Sequence, residues 1–195
     1  MALTPPVQRE HLHTRTVECR GYRRADGLWD VEGRVVDVKT YGFDNEWRGR
    51  VEPGMPVHDM QIRLTLDDEL AIKAVEAATN ASPYRICGDI APAYRKLLGL
   101  KIAPGFTRKT RELFGGVHGC THLMELLGPI ATTAFQTIYP ARARYPRKDA
   151  GAAEKEKDAA VVKKRRSRLI GTCHALASTS GVVKRFWPEF YTGPK

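Results

Sequence analysis

The chain has 195 residues, 42% of them hydrophobic, with 32 Lys/Arg against 22 Asp/Glu and a net charge of +10 at neutral pH. That length supports one substantial core, and a single domain over residues 1–195 is expected. The N-terminal Met1-Ala-Leu-Thr-Pro-Pro lacks the basic patch and apolar run of a signal peptide, and no stretch approaches the roughly 18 apolar residues of a membrane span, so a soluble, cytoplasmic protein with no membrane partner is expected.

Two strands are predicted at the start, Arg15 to Arg24 and Leu28 to Tyr41, joined through the Asp-Gly turn signal in Ala25-Asp-Gly27. Pro53-Gly-Met-Pro56 interrupts the chain before a third strand, Val57 to Leu66. Its alternation is the clearest in the sequence: His58, Met60, Ile62, Leu64 and Leu66 share one face, while Val57, Asp59, Gln61, Arg63 and Thr65 share the other. Asp67-Asp-Glu69 reads as a turn, and Leu70 to Thr79 as a fourth strand.

After Asn80-Ala-Ser-Pro83 the pattern becomes helical: Asp89 to Leu98, Thr107 to Phe114, and a long segment from Cys120 to Ile138. The last has Leu123, Leu126, Leu127, Ile130, Ala134 and Ile138 at helical spacing, and Pro129 predicts a kink or short break after Leu127. Residues 147–168 hold nine Lys/Arg against four Asp/Glu, half of the whole charge excess, in an Ala/Lys/Glu-rich insertion unable to build a core. Basic charge so concentrated reads as a solvated arm, so nucleic acid is not the expected partner. Leu169 to Leu176 returns as a short apolar run, and Ser180 is placed to cap a final helix ending near Trp187-Pro188. Strands first and helices later imply an α+β fold: an antiparallel sheet of about four strands from the N-terminal half, packed against helices from the C-terminal half.

Cys19, Cys87, Cys120 and Cys173 form no C-x-x-C pair and read as buried reduced thiols, with Cys120 the one candidate for reactivity. The informative residue is His58. On an apolar strand face its charged form is disfavoured, so a neutral imidazole is available as a general base, unless it is a core histidine with both ring nitrogens satisfied. Asp59 points to the opposite face, so the carboxylate that orients His58 must come from another element; Asp30 is the candidate. The second feature is Gly115-Gly-Val-His-Gly-Cys-Thr-His-Leu-Met-Glu125, a glycine-rich turn running into the long helix. It offers His118 and His122 as acid or base. It also offers the backbone of Gly119, Cys120 and Thr121 for an oxyanion. His118 and His122 have the four-residue spacing of helical metal ligands, but glycines flank His118 and no glutamate lies between the pair, so no metal is expected. Tyr22, Arg23, Arg24 and Trp29 around the first hairpin combine arginine with aromatics, as an aromatic ligand site would. No nucleotide-binding glycine motif is present, and no cofactor is expected.

The blocks Arg20-Gly-Tyr-Arg-Arg-Ala-Asp-Gly-Leu-Trp-Asp-Val-Glu-Gly33, Pro56-Val-His-Asp-Met60, Ala81-Ser-Pro-Tyr84 and Gly115-Gly-Val-His-Gly-Cys-Thr-His-Leu123 resemble a bacterial domain-of-unknown-function family, number 2889. The resemblance extends to Cys173-His174 and Trp187-Pro188. It implies a link to breakdown of lignin-derived aromatics, including a γ-formaldehyde lyase acting on phenylcoumaran-type dimers. The expected function is therefore a cofactor-independent carbon–carbon lyase that releases formaldehyde from a hydroxymethyl-bearing aromatic dimer to give a stilbene. In this reading His58 is the base, His118 or His122 the acid, and Tyr22, Arg24 and Asp30 hold substrate. The alternatives are a non-catalytic binding protein for aromatic acids or acyl carriers, and a metal-dependent hydrolase. A small aromatic substrate is the expected partner, with a homo-oligomer possible.

Overall fold

Alternation builds the sheet. In a computed structural model that describes residues 3–144 and 169–194, four long antiparallel strands, β1 (His13–Arg23), β2 (Trp29–Lys39), β5 (Pro56–Leu66) and β6 (Ile72–Ala81), lie side by side in that order. Trp29, Val31 and Val35 on β2 and Met60, Ile62, Leu64 and Leu66 on β5 are all nearly inaccessible to solvent. The residues between them carry a polar ladder instead. Arg63 donates to Glu32 and Glu76, Arg34 donates to both oxygens of Asp59, and Thr65 donates to Asp30. One face is thus core and the other charged, the division a sheet covered on one side requires.

The expected Asp-Gly hairpin is present, with Arg24 and Leu28 closing the loop and Asp26 accepting from the Leu28 amide. The turn at Asp67 is held by its Oδ1, which accepts from the amides of Glu69 and Ala71. A small hairpin, β3 (Phe43–Asn45) with β4 (Gly49–Val51), was not expected; Asn45 Oδ1 closes its loop on the amides of Trp47 and Arg48. Such three-residue strands are too short to show alternation.

The helix expected over Asp89–Leu98 is a run of 3₁₀ turns, Arg85–Leu97. Pro92 lies inside it and cannot donate a backbone bond. Next come α1 (Phe106–Phe114) and α2 (Thr121–Arg144). The break expected at Pro129 does not occur: α2 is continuous across it and runs six residues beyond the expected end at Ile138. On the core face of the sheet, Ile130 of α2 sits directly on Gly33 of β2. A Cβ at Gly33 would lie 2.7 Å from Ile130 Cδ1, so glycine is what lets the helix come this close.

By contacts the chain divides into two compact units, Met1–Thr137 and Ile138–Lys195. The second contains a 3₁₀ turn at His174–Leu176, where a longer apolar run was read, and α3 (Gly181–Phe186). Ser180 caps α3 as expected, accepting from the Val183 amide at 3.2 Å. The charged insertion 147–168 lies outside the described residues. No described helix is long and apolar enough to cross a membrane. The four cysteines are free, but Cys173 is exposed and the other three only part-buried, against the expectation of buried thiols.

Candidate active site

Register decides what meets His58. The β1–β2 pairing sets Arg15 opposite Asp37, and the β2–β5 pairing sets Asp37 opposite His58. All three point to the core face at the end of the sheet where α2 begins. Asp37 is 1% exposed and fully engaged. Arg15 forks onto it, Nε to Oδ1 at 2.8 Å and Nη2 to Oδ2 at 2.9 Å. His13 Nε2 lies 3.2 Å from Oδ1, and His58 Nδ1 3.1 Å from Oδ2. The remaining Arg15 amine donates to Glu125 of α2 at 2.7 Å, tying β1 to the first turns of the helix.

His122, in the first turn of α2, completes the group. Its ring lies 3.9 Å from that of His58, tilted by 30°, and its Nε2 is 3.5 Å from Asp37 Oδ2. Cys120, just before the helix, places Sγ 3.4 Å from Met60 Sδ and 3.9 Å from His122 Nδ1. The approach to the helix is tight: a Cβ at Gly119 would collide with the Phe114 backbone and Cβ, which accounts for one glycine of the Gly115–Gly119 run.

The electrostatics follow from these contacts. Burial pushes the Asp37 carboxyl upward, but the Arg15 fork, the His13 bond and the His58 ring outweigh it and hold the group at about 2. Asp37 is therefore ionised at neutral pH and can only accept. His58 must then donate through Nδ1, which fixes its neutral ring as the tautomer with a lone pair on Nε2. Burial lowers the His58 pKa below the ordinary 6.5, and neighbouring His122 lowers it further, against the pull of Asp37. Burial also lowers His122, followed by the charge of Arg15, with Asp37 and Glu125 opposing. The helix N-terminus disfavours a cation there as well. The outcome is two adjacent imidazoles, both neutral near pH 7, one of them oriented by a buried carboxylate.

The residues named from sequence separate into two groups. His58, His122 and Cys120 come together in this cluster. His118 does not: it is exposed, in the 3₁₀ turn Gly116–His118. Gly119 and Thr121 flank Cys120, but the Cys120 amide already donates to the Tyr94 hydroxyl at 3.1 Å, so it is not available to an oxyanion. The first-turn amides of α2 from Thr121 onward are those that lack an intrahelical acceptor. Tyr22, Arg24 and Asp30 lie elsewhere. Asp30 is seven residues from Asp37 along β2, about 23 Å at ~3.3 Å per residue, and on the opposite face. It accepts from Thr65 and Arg24, so it is not the carboxylate that orients His58; Asp37 is. Arg24 pairs with Asp26 and Asp30, and Tyr22 stands opposite Asp30. Sequence reasoning missed Asp37, Arg15 and His13.

Asp37, His58 and His122 place one ligand-type atom each within 4.8 Å of one another, donors a divalent ion would accept by type. Both Asp37 oxygens, however, are already covered by the Arg15 guanidinium, whose fixed charge opposes a cation at the same atoms. The arrangement fits a hydrogen-bonded acid–base cluster better than a metal centre.

Residues 13–136 match a family model described as Protein of unknown function (DUF2889), a span that contains every member of the cluster. No curated protein and no solved structure matches the chain.

Proposed function

The chain belongs to the DUF2889 family, and from its site we propose a lyase that works by general acid–base chemistry without a cofactor, cleaving formaldehyde from a hydroxymethyl-bearing aromatic dimer of the phenylcoumaran type. The observation that carries the acid–base part is the His58 Nδ1–Asp37 Oδ2 bond at 3.1 Å with the His122 ring 3.9 Å from His58. The choice of substrate comes from the family likeness in the sequence blocks around these residues.

The reaction balances on the protein's own groups. Nε2 of His58 takes the proton of the primary hydroxyl. The bond between the hydroxymethyl carbon and the ring carbon bearing it breaks, releasing formaldehyde. Its electron pair forms the new double bond as the benzylic carbon–oxygen bond opens to a phenoxide. The phenoxide recovers one proton, so one dimer gives one stilbene and one formaldehyde with no oxidant or reductant. Asp37 stabilises the imidazolium that forms on His58, the role a buried carboxylate plays beside a catalytic histidine. An N–H of His122 hydrogen-bonds the phenoxide as it develops. Burial disfavours the charged form of His58, which drives the proton on to the phenoxide.

The test is a product assay on purified protein with no added cofactor. Formaldehyde and a fluorescent stilbene should appear in equal amounts from a phenylcoumaran dimer. Folded protein that yields neither product from several such dimers refutes the proposal.

A further inference from the structure

His122 does not hold its own position; something must fix the start of the helix that carries it. Tyr94, in the 3₁₀ run Arg85–Leu97, is completely buried, and its ring stacks on Phe114 with centroids 4.4 Å apart at 10°. Its hydroxyl donates to the Cys120 carbonyl at 2.8 Å and accepts from the Cys120 amide at 3.1 Å. Both backbone groups of one residue thus close on one side-chain oxygen. The same carbonyl accepts the Met124 amide at 2.9 Å, the bond with which α2 opens. His122 follows two residues after Cys120.

We propose that Tyr94 is a positioning residue: by holding both backbone groups of Cys120, its hydroxyl fixes where α2 begins and so sets His122 against His58 and Asp37. The inference rests on the acid–base reading of the histidine pair. The geometry requires a phenol at this place. The hydroxyl must reach Cys120 from a ring wedged against Phe114, and it must both donate and accept. Burial keeps it protonated, pushing its pKa up to about 12. Phenylalanine would keep the stack and lose both bonds.

The test is a histidine-ring NMR titration of the full chain and its Tyr94→Phe variant. His122 faces Asp37 and Arg15 from β2 and β1, His58 from β5, and Glu125 and Cys120 from its own segment. The substitution alters none of these groups. With the clamp gone, His122 should titrate at higher pH, closer to an ordinary histidine, while Phe114→Leu, which keeps the hydroxyl, should lower the melting temperature and leave His122 in place. A folded Tyr94→Phe protein with an unmoved His122 overturns the proposal, as does a Phe114→Leu protein showing the same shift. If Tyr94→Phe does not fold, amide exchange in the native chain decides. The Cys120 amide should be protected although it precedes the helix, and an unprotected one overturns the clamp. The titration needs no substrate, so it can fail while the lyase stands, or succeed while the lyase fails. If the lyase stands, Tyr94→Phe should lower kcat by about tenfold or more with little change in KM.

Discussion

Nδ1 of His58 lies 3.1 Å from Oδ2 of Asp37 because the two are register partners on neighbouring antiparallel strands. The bond is built into the sheet and needs no loop to close. Replacing Asp37 by Asn keeps the shape and removes the charge, leaving Arg15 without its main partner. Asp37→Asn should lose about 2 kcal/mol of stability at pH 7, the equivalent of holding a buried carboxyl at about 2 against an ordinary 3.8. Chemical denaturation measures it; an undiminished unfolding free energy would mean the Arg15 fork contributes nothing net.

The same pair fixes a pH dependence. The Asp37 pKa is depressed in the folded state, so its contribution is complete above about 3.8 and fades as pH falls toward about 2. The stability gap between wild type and Asp37→Asn should therefore close over that window. His58 and His122 act at higher pH in the same direction. Their folded pKa values lie below the unfolded 6.5, so the unfolded chain binds protons first and stability declines as pH drops beneath that value. Denaturation curves of a double His58→Gln, His122→Gln variant should show a flatter slope there. An unchanged slope would place the titrating groups elsewhere.

Strand alternation was enough to put His58 on the core face beside Met60 and Ile62, and the structure has it there. The same rule applied to β2 would have found its partner. Trp29, Val31, Gly33, Val35 and Asp37 are alternate residues, and a carboxylate at the end of such a row is conspicuous. Asp30, the candidate from sequence, falls between those positions, on the charged face. What alternation cannot supply is register. Arg15 and His58 meet Asp37 across 22 and 21 residues of chain, by pairings that depend on loop geometry and on a bulge near Asp37. The four strands, α1, and the cap at Ser180 were legible because each has a local cause. The little β3–β4 hairpin was not, since three-residue strands are too short to alternate, and the 3₁₀ run read as a helix without the mark that Pro92 sets on it.

His118, paired with His122 in the sequence reading, is exposed in the Gly116–His118 turn, outside the Asp37 cluster. His118→Ala should leave melting temperature and turnover within about twofold of wild type, whereas His122→Ala should cost turnover heavily. Steady-state rates for the two variants side by side would separate them. Equal losses would bring the 3₁₀ turn into the reaction.

Exhaustive dialysis against a chelator should leave activity unchanged, since the proposed chemistry moves only a proton and an electron pair within the substrate. Metal analysis of the same sample would accompany the assay. Activity lost on chelation and restored by one divalent ion would turn Asp37, His58 and His122 from an acid–base cluster into ligands.

The most direct measurement is the turnover of His58→Gln on a phenylcoumaran dimer, with folding checked on the same preparation. Glutamine keeps an amide donor for Asp37 but offers no basic nitrogen at the position of Nε2. The account expects a folded protein whose formaldehyde release is slower by roughly 10² or more, the scale of a general base. Wild-type activity should fall on the acid side through an apparent pKa below 6.5, the direction in which burial and His122 move His58. A folded His58→Gln protein that releases formaldehyde at close to the wild-type rate would contradict the assignment of His58 as the base.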